Sequence, residues 1–96
     1  MTGIYKITNT VNDKCYIGQA VDVGRRFREH KNKLNKGLHK NTHLQRSWDK
    51  YGAAAFKFSV EEVLEDLSLL NDKEIYYIQL YNSVKNGYNM TEGGVS

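Results

Sequence analysis

The chain has 96 residues, 40% of them hydrophobic, with seven tyrosines, one cysteine and a formal charge of +3, which limits it to one domain around a modest core. No apolar run approaches the length of a membrane span, and no charged start leads into an apolar signal segment, so membrane and secreted classes are set aside and an intracellular protein is expected. A lone cysteine fits a reducing compartment, and Cys15, in a strand pattern with no histidine beside it in sequence, reads as a small buried hydrophobe instead of a nucleophile.

Residues 2–8 are mostly β-branched or aromatic and stop at Asn9-Thr10-Val11-Asn12-Asp13, a turn composition, before Cys15-Tyr16-Ile17 resumes the strand pattern. This predicts an antiparallel hairpin that brings Tyr5 and Tyr16 alongside one another, with its register open. Gly3 and Gly18 fall inside the two strands, where glycine weakens a sheet unless a ligand or another backbone comes close. The plain alternative is two buried tyrosines in a small sheet.

Asp22 is a good helix cap, and Val23, Phe27 and Leu34 recur at helical spacing up to Gly37, so a helix over 22–36 is expected. Arg26 and His30, four apart, border its apolar stripe at the rim of the core. Arg25, Arg28, Lys31 and Lys36 spread over more exposed faces, as a solvated or phosphate-contacting surface does. A polar connection with His39 leads to Asn41 or Thr42 as the cap of a second helix, with Leu44, Trp48 and Tyr51 on one side, Arg46 and Lys50 outside, and Gly52 as its stop. His39 and His43 could pair on a metal if both were helical, but these caps leave His39 outside and count against zinc. Phe56–Val60 alternates as a third strand, and the alternation blurs through Glu61–Leu64.

A last helix starts near Ser68 or Asn71 and runs to about Asn82. Its apolar stripe of Leu67, Leu70, Tyr77, Ile78 and Tyr81 has Glu74 in the middle. An unpaired carboxylate aimed at the core is costly, so Glu74 meets a cation or lines a cleft. If the helix began at Asn71 instead, Asn71 and Glu74 would form a capping box and expose the carboxylate. The turn-forming segment 82–87, then Tyr88-Asn89, precedes a tail, residues 91–96, read as frayed or as the start of a linker.

Charge is unevenly placed. Gly24–Lys50 holds nine basic residues against two acids, a local balance of +7, so the rest of the chain sums to −4. A basic middle flanked by acidic segments suits a polyanion, of which a phosphate backbone is the commonest.

Gly3-Ile4-Tyr5, Tyr16-Ile17-Gly18, Arg26 and His30 in the following helix, Glu74 in a later one and the late Gly87-Tyr88-Asn89 together resemble the GIY-YIG endonuclease family across nearly the whole chain. Either tripeptide alone is a weak signal, and the ordered set is specific. The Asn86-Gly87-Tyr88-Asn89 ending and Leu44-Gln45-Arg46-Ser47 are most similar to catalytic domains of phage and intron homing endonucleases, and His39 matches a further histidine of that branch. In that branch separate DNA-recognition modules usually follow, so the chain is read as a catalytic fragment or a minimal free-standing enzyme, one domain over 1–96.

The resemblance implies an α/β (α+β) fold, a small antiparallel sheet of about three strands flanked by helices, and metal-dependent hydrolysis of double-stranded DNA with no small-molecule cofactor. Glu74 would hold Mg²⁺, with Mn²⁺ substituting. Arg26 would hold a non-bridging oxygen of the scissile phosphate. Tyr5, or else Tyr16, would serve as base, with His30 hydrogen-bonded nearby and Asn89 supporting the glutamate's surroundings. A free phenol has a pKa of about 10, so roughly 4 kcal/mol must be offset at neutral pH, and Arg26, His30 and the basic helix are expected to supply the positive charge. Arg25, Arg28, Lys33, His39, Lys40 and Arg46 would line the DNA-binding face. The rival readings are a non-catalytic nucleic-acid-binding module on the basic face 24–50 and a protein-interaction domain.

Overall fold

The computed structural model describes residues 1–93. Three strands, β1 (Gly3–Asn9), β2 (Cys15–Ala20) and β3 (Phe56–Val63), form an antiparallel sheet in the order β2-β1-β3. The hairpin register pairs Tyr5 with Gly18 and Ile7 with Tyr16, which sets the two tyrosine rings diagonally on one face with centroids 6.4 Å apart. Both faces of β1 are covered. Tyr5 and Ile7 pack with Val23, Leu34, Leu44, Trp48 and Phe56 on one side, while Ile4, Cys15 and Ile17 pack with Leu64, Leu70 and Ile78 on the other.

Helix α1 (Val23–Lys36) is capped by the Asp22 side chain, which accepts from the Arg25 amide, and ends at Gly37 in the left-handed region. Helix α2 (Thr42–Tyr51) uses Asn41 as its cap, so His39 lies in the connection. Strand β3 runs three residues past the expected Val60. Ile4 pairs with Glu62 but Tyr5 with Val60, so Glu61 is an extra, bulged residue. The blurred alternation after Val60 is this bulge, which inverts which side chains face the core.

Helix α3 (Leu70–Tyr81) begins at neither expected residue. A 3₁₀ turn over Leu67–Leu69 precedes it, and Asp66 caps that turn by accepting from the Ser68 amide and hydroxyl. Two expected members of the apolar stripe are therefore corrected: Leu67 is 54% exposed and Tyr81 38%. The Asn71–Glu74 capping box does not form; Glu74 lies a turn into the helix and is 9% exposed.

After α3, Tyr88 and Asn89 are buried. The Tyr88 hydroxyl meets Ser47 Oγ at 2.6 Å and accepts from the Asn9 amide at 3.1 Å, tying α2, β1 and the last segment together. Of the tail expected over 91–96, residues 94–96 lie outside the described residues, whereas Thr91 and Gly93 line a cavity beside Glu74. No helix among the described residues is long and apolar enough to cross a membrane.

Candidate active site

Gly18 decides where the Tyr5 ring lies. A Cβ there would collide with the ring and hydroxyl of Tyr5, and one on Gly3 would collide with the Glu62 carbonyl of β3. Close approach is thus the reason for a glycine in each strand, and what approaches is a ring and a neighbouring backbone. Tyr5 is 1% exposed, and its ring packs edge-on against Phe27 and His30.

The Tyr5 hydroxyl meets His30 Nε2 at 2.6 Å, and His30 Nδ1 meets His39 Nε2 at 2.7 Å. His30 was expected at the rim of the core. It is buried, at 7% exposure, because its ring is stacked on His39 and enclosed by Tyr5 and Tyr16, while Arg26 one turn earlier stays exposed. Arg26 makes an ion pair with Glu29 at 3.5 Å, a partner that sequence reasoning did not anticipate.

Tyr16, half-buried, lines three adjoining cavities of about 250, 230 and 380 Å³. Glu74 lines the first and third, and Arg26 the second and third. His30, Lys33 and His39 line the second, and Lys40 the first and second. The cleft therefore joins a carboxylate wall on α3 to a basic wall on α1 and the α1–α2 connection. Of the remaining basic residues proposed for nucleic acid, Arg25 lines a separate hollow beside Arg26 and Glu29. Arg28 and Arg46 are exposed but line none of these.

Asn89 lines the cavity beside Glu74, and two contacts add to the roles expected from sequence. Asn89 reaches β2: its Oδ1 accepts from the Ile17 amide at 2.8 Å and its Nδ2 donates to the Ile17 carbonyl at 2.9 Å. It completes the open edge of the strand that carries Tyr16. Gln19 touches the glutamate: its amide donates to Glu74 Oε1 at 3.2 Å and to Asn71 Oδ1 at 2.8 Å. Gln19 follows Gly18 on the opposite face from Tyr16, so strand alternation from the motif was the signal that could have found it.

The electrostatics also differ from expectation. Burial, and then Tyr16, push the Tyr5 phenol above the ordinary range, and Arg26 only partly opposes them. Burial and Glu74 raise Tyr16 likewise. His30 supplies no positive charge: burial, then His39, Arg26 and Lys33, hold its pKa down to about 3. Burial and Lys33 lower His39 as well. The imidazoles are neutral hydrogen-bonding groups, and Arg26 is the cation that lines the third cavity with Tyr16 and Glu74.

Two aromatic hydroxyls, a histidine pair, an arginine and a buried carboxylate thus surround one cleft. The family model for the GIY-YIG catalytic domain matches residues 1–89, and the chain belongs to that family. It is 38% identical over 91 residues to "Intron-associated endonuclease 1" of Enterobacteria phage T4, covering 95% of this chain and 37% of that protein. It is also 38% identical over 87 residues to "Probable intron-encoded endonuclease 1" of Neurospora crassa, covering 83% of this chain and 27% of that one. The chain thus spans a third or so of these relatives' length. Among solved structures, the catalytic domain of the homing endonuclease I-TevI superposes with a TM-score of 0.87 at 39% identity, covering 95% of this chain and 99% of that one. A mutant form of the same domain gives 0.88 at 38%, covering 96% and 95%.

Proposed function

We propose that this domain cuts double-stranded DNA by metal-assisted hydrolysis of phosphodiester bonds, as the catalytic part of a homing-type endonuclease. The observation that carries the reading is convergence: Tyr5, Tyr16, Arg26, His30 and Glu74 come from four elements and line adjoining cavities.

The donor set suits a hard divalent cation such as Mg²⁺, with Mn²⁺ substituting. Glu74 brings one carboxylate to the cleft, and a hard cation that keeps several waters needs few protein oxygens. Glu74 would hold the ion, with phosphate oxygens and water completing its shell. When bound, the ion supplies charge neutralisation at the scissile phosphate and a more acidic water.

Arg26 grips a non-bridging phosphate oxygen and stabilises the charge that builds there. Releasing Glu29 to do so costs little, since an exposed ion pair of this kind is worth under about 1 kcal/mol. Tyr5 orients the attacking water and takes its proton, with Tyr16 beside it. Burial keeps the Tyr5 phenol protonated at rest, so its service as base depends on the additional positive charge of the loaded cleft. Asn89 and Gln19 are positioning residues, the first for the Tyr16 strand and the second for Glu74.

Supercoiled plasmid incubated with the chain and Mg²⁺ or Mn²⁺ should be nicked or linearised, and EDTA or Glu74→Gln should abolish the cutting. DNA bound equally by both proteins and cut by neither would instead make this a nucleic-acid-binding module.

A further inference from the structure

A hydrogen-bonded chain starts at the cap of α2 and ends on the catalytic tyrosine. The Asn41 amide donates to His39 Nδ1 at 3.0 Å, His39 Nε2 lies 2.7 Å from His30 Nδ1, and His30 Nε2 lies 2.6 Å from the Tyr5 oxygen. A backbone N–H can only donate, so His39 Nδ1 carries no proton. The ring proton of neutral His39 is then on Nε2 and is donated to His30 Nδ1. With that nitrogen taken as an acceptor, the ring proton of neutral His30 sits on Nε2 and is donated to Tyr5.

We infer that this chain runs one way, from Asn41 to Tyr5, and that His30 serves the reaction as a hydrogen-bond donor to the Tyr5 oxygen, with His39 and Asn41 as the positioning residues that fix its tautomer. The inference rests on reading the cleft as a nuclease site. For His30 to take the Tyr5 proton, it would need a proton on Nδ1 facing the one on His39 Nε2 across 2.7 Å. His39 could relieve that clash only by moving its proton to Nδ1, where the Asn41 amide already points. The reverse direction is blocked at both links. Tyr5 therefore exchanges its own proton with the cleft, and His30 keeps its proton throughout.

The surroundings agree. Arg26, Lys33 and Lys40 line the same cavity as the two imidazoles, and its one acid, Glu29, is engaged by Arg26; Tyr5 and Tyr16 pack on the His30 ring. Burial, His39, Arg26 and Lys33 all disfavour an imidazolium at His30, in keeping with its depressed pKa. Gln45 fixes the geometry by accepting from the His39 amide at 3.0 Å and donating to the Leu34 carbonyl at 3.0 Å, which ties the loop to the helix that carries His30. The usual expectation for a histidine beside a catalytic hydroxyl, that it withdraws the proton, is reversed here.

Long-range ¹H–¹⁵N correlation spectra of the ¹⁵N-labelled chain at neutral pH test this directly. Both His30 and His39 should appear as neutral Nε2–H tautomers, and His39→Leu should release His30 into a mixture of tautomers. A protonated Nδ1 or an imidazolium at His30 in the unaltered chain overturns the inference, as does a His30 tautomer unchanged in a folded His39→Leu. The reaction role is read by cleavage: His30→Gln, which retains an N–H donor, should cut about tenfold faster than His30→Leu, and equal losses would contradict it. Glu74→Gln should leave both tautomers unchanged, so a failure of the nuclease reading is distinguishable from a failure of this one.

Discussion

Position 18 holds a hydrogen where any other residue would place a carbon into the Tyr5 ring. Gly18→Ala should therefore displace Tyr5 from His30, destabilising the fold by about 1–3 kcal/mol through overpacking and lowering cleavage further than stability alone explains; urea melts and single-turnover rates check the two. Gln19→Ala should slow cleavage about tenfold through a less well-held Glu74 while leaving the urea midpoint nearly unchanged, because Gln19 is only half-buried. His30 also sets a pH dependence. Its folded pKa of about 3 lies below the unfolded value of about 6.5, so between the two the unfolded chain binds a proton that the folded chain does not. Stability from this group is complete above about pH 6.5 and falls as pH drops toward 3, by up to about 1.4 kcal/mol per unit. Urea midpoints at pH 7 and pH 5 should show the loss, and it should shrink in His30→Gln. At this scale the tyrosines, Arg26, His30 and Glu74 were legible because their order and spacing are specific. Gln19 and the Asn41 amide were not, since a glutamine on a strand and a backbone N–H carry no pattern of their own.

Among the elements, the hairpin, both early helices and their caps followed from composition, because Asp22, Gly37, Asn41 and Gly52 each have one obvious use at a helix end. The errors fell where periodicity is interrupted. The bulge at Glu61 hid the end of β3, and the 3₁₀ turn capped by Asp66 hid the start of α3, since Leu67 and Leu69 extend an apolar pattern that solvent in fact meets. The final segment was undervalued for another reason: Asn89 works through the backbone of a strand 72 residues earlier, which no local rule reports. Asn89→Leu should strand the Ile17 amide and carbonyl and cost about 1–3 kcal/mol in urea unfolding. Asn89→Asp, which keeps the acceptor for Ile17 N–H but loses the donor to its carbonyl, should also destabilise, and the cost of its buried charge should ease as pH is lowered into the carboxyl range.

Over the whole molecule, three of the nine basic residues of 24–50, Arg26, Lys33 and Lys40, line the α1 side of the cleft, across from the carboxylate of α3, and on the proposed function a phosphate backbone passes there. Binding to a short duplex should weaken steeply with salt, and replacing both Lys33 and Lys40 by Gln should reduce the slope of log K against log salt by about 2. Arg46→Gln, away from these cavities, should alter it less. The measurement that bears most directly on the account is single-turnover cleavage and equilibrium binding of the same labelled duplex, with excess protein and Mg²⁺ or Mn²⁺, for the unaltered chain and Glu74→Gln. The variant should bind at least as tightly, having lost a negative charge beside DNA, and cut slower by two to three orders of magnitude, about 3–4 kcal/mol. Equal cutting by both proteins, or binding with no cutting by either, would contradict it.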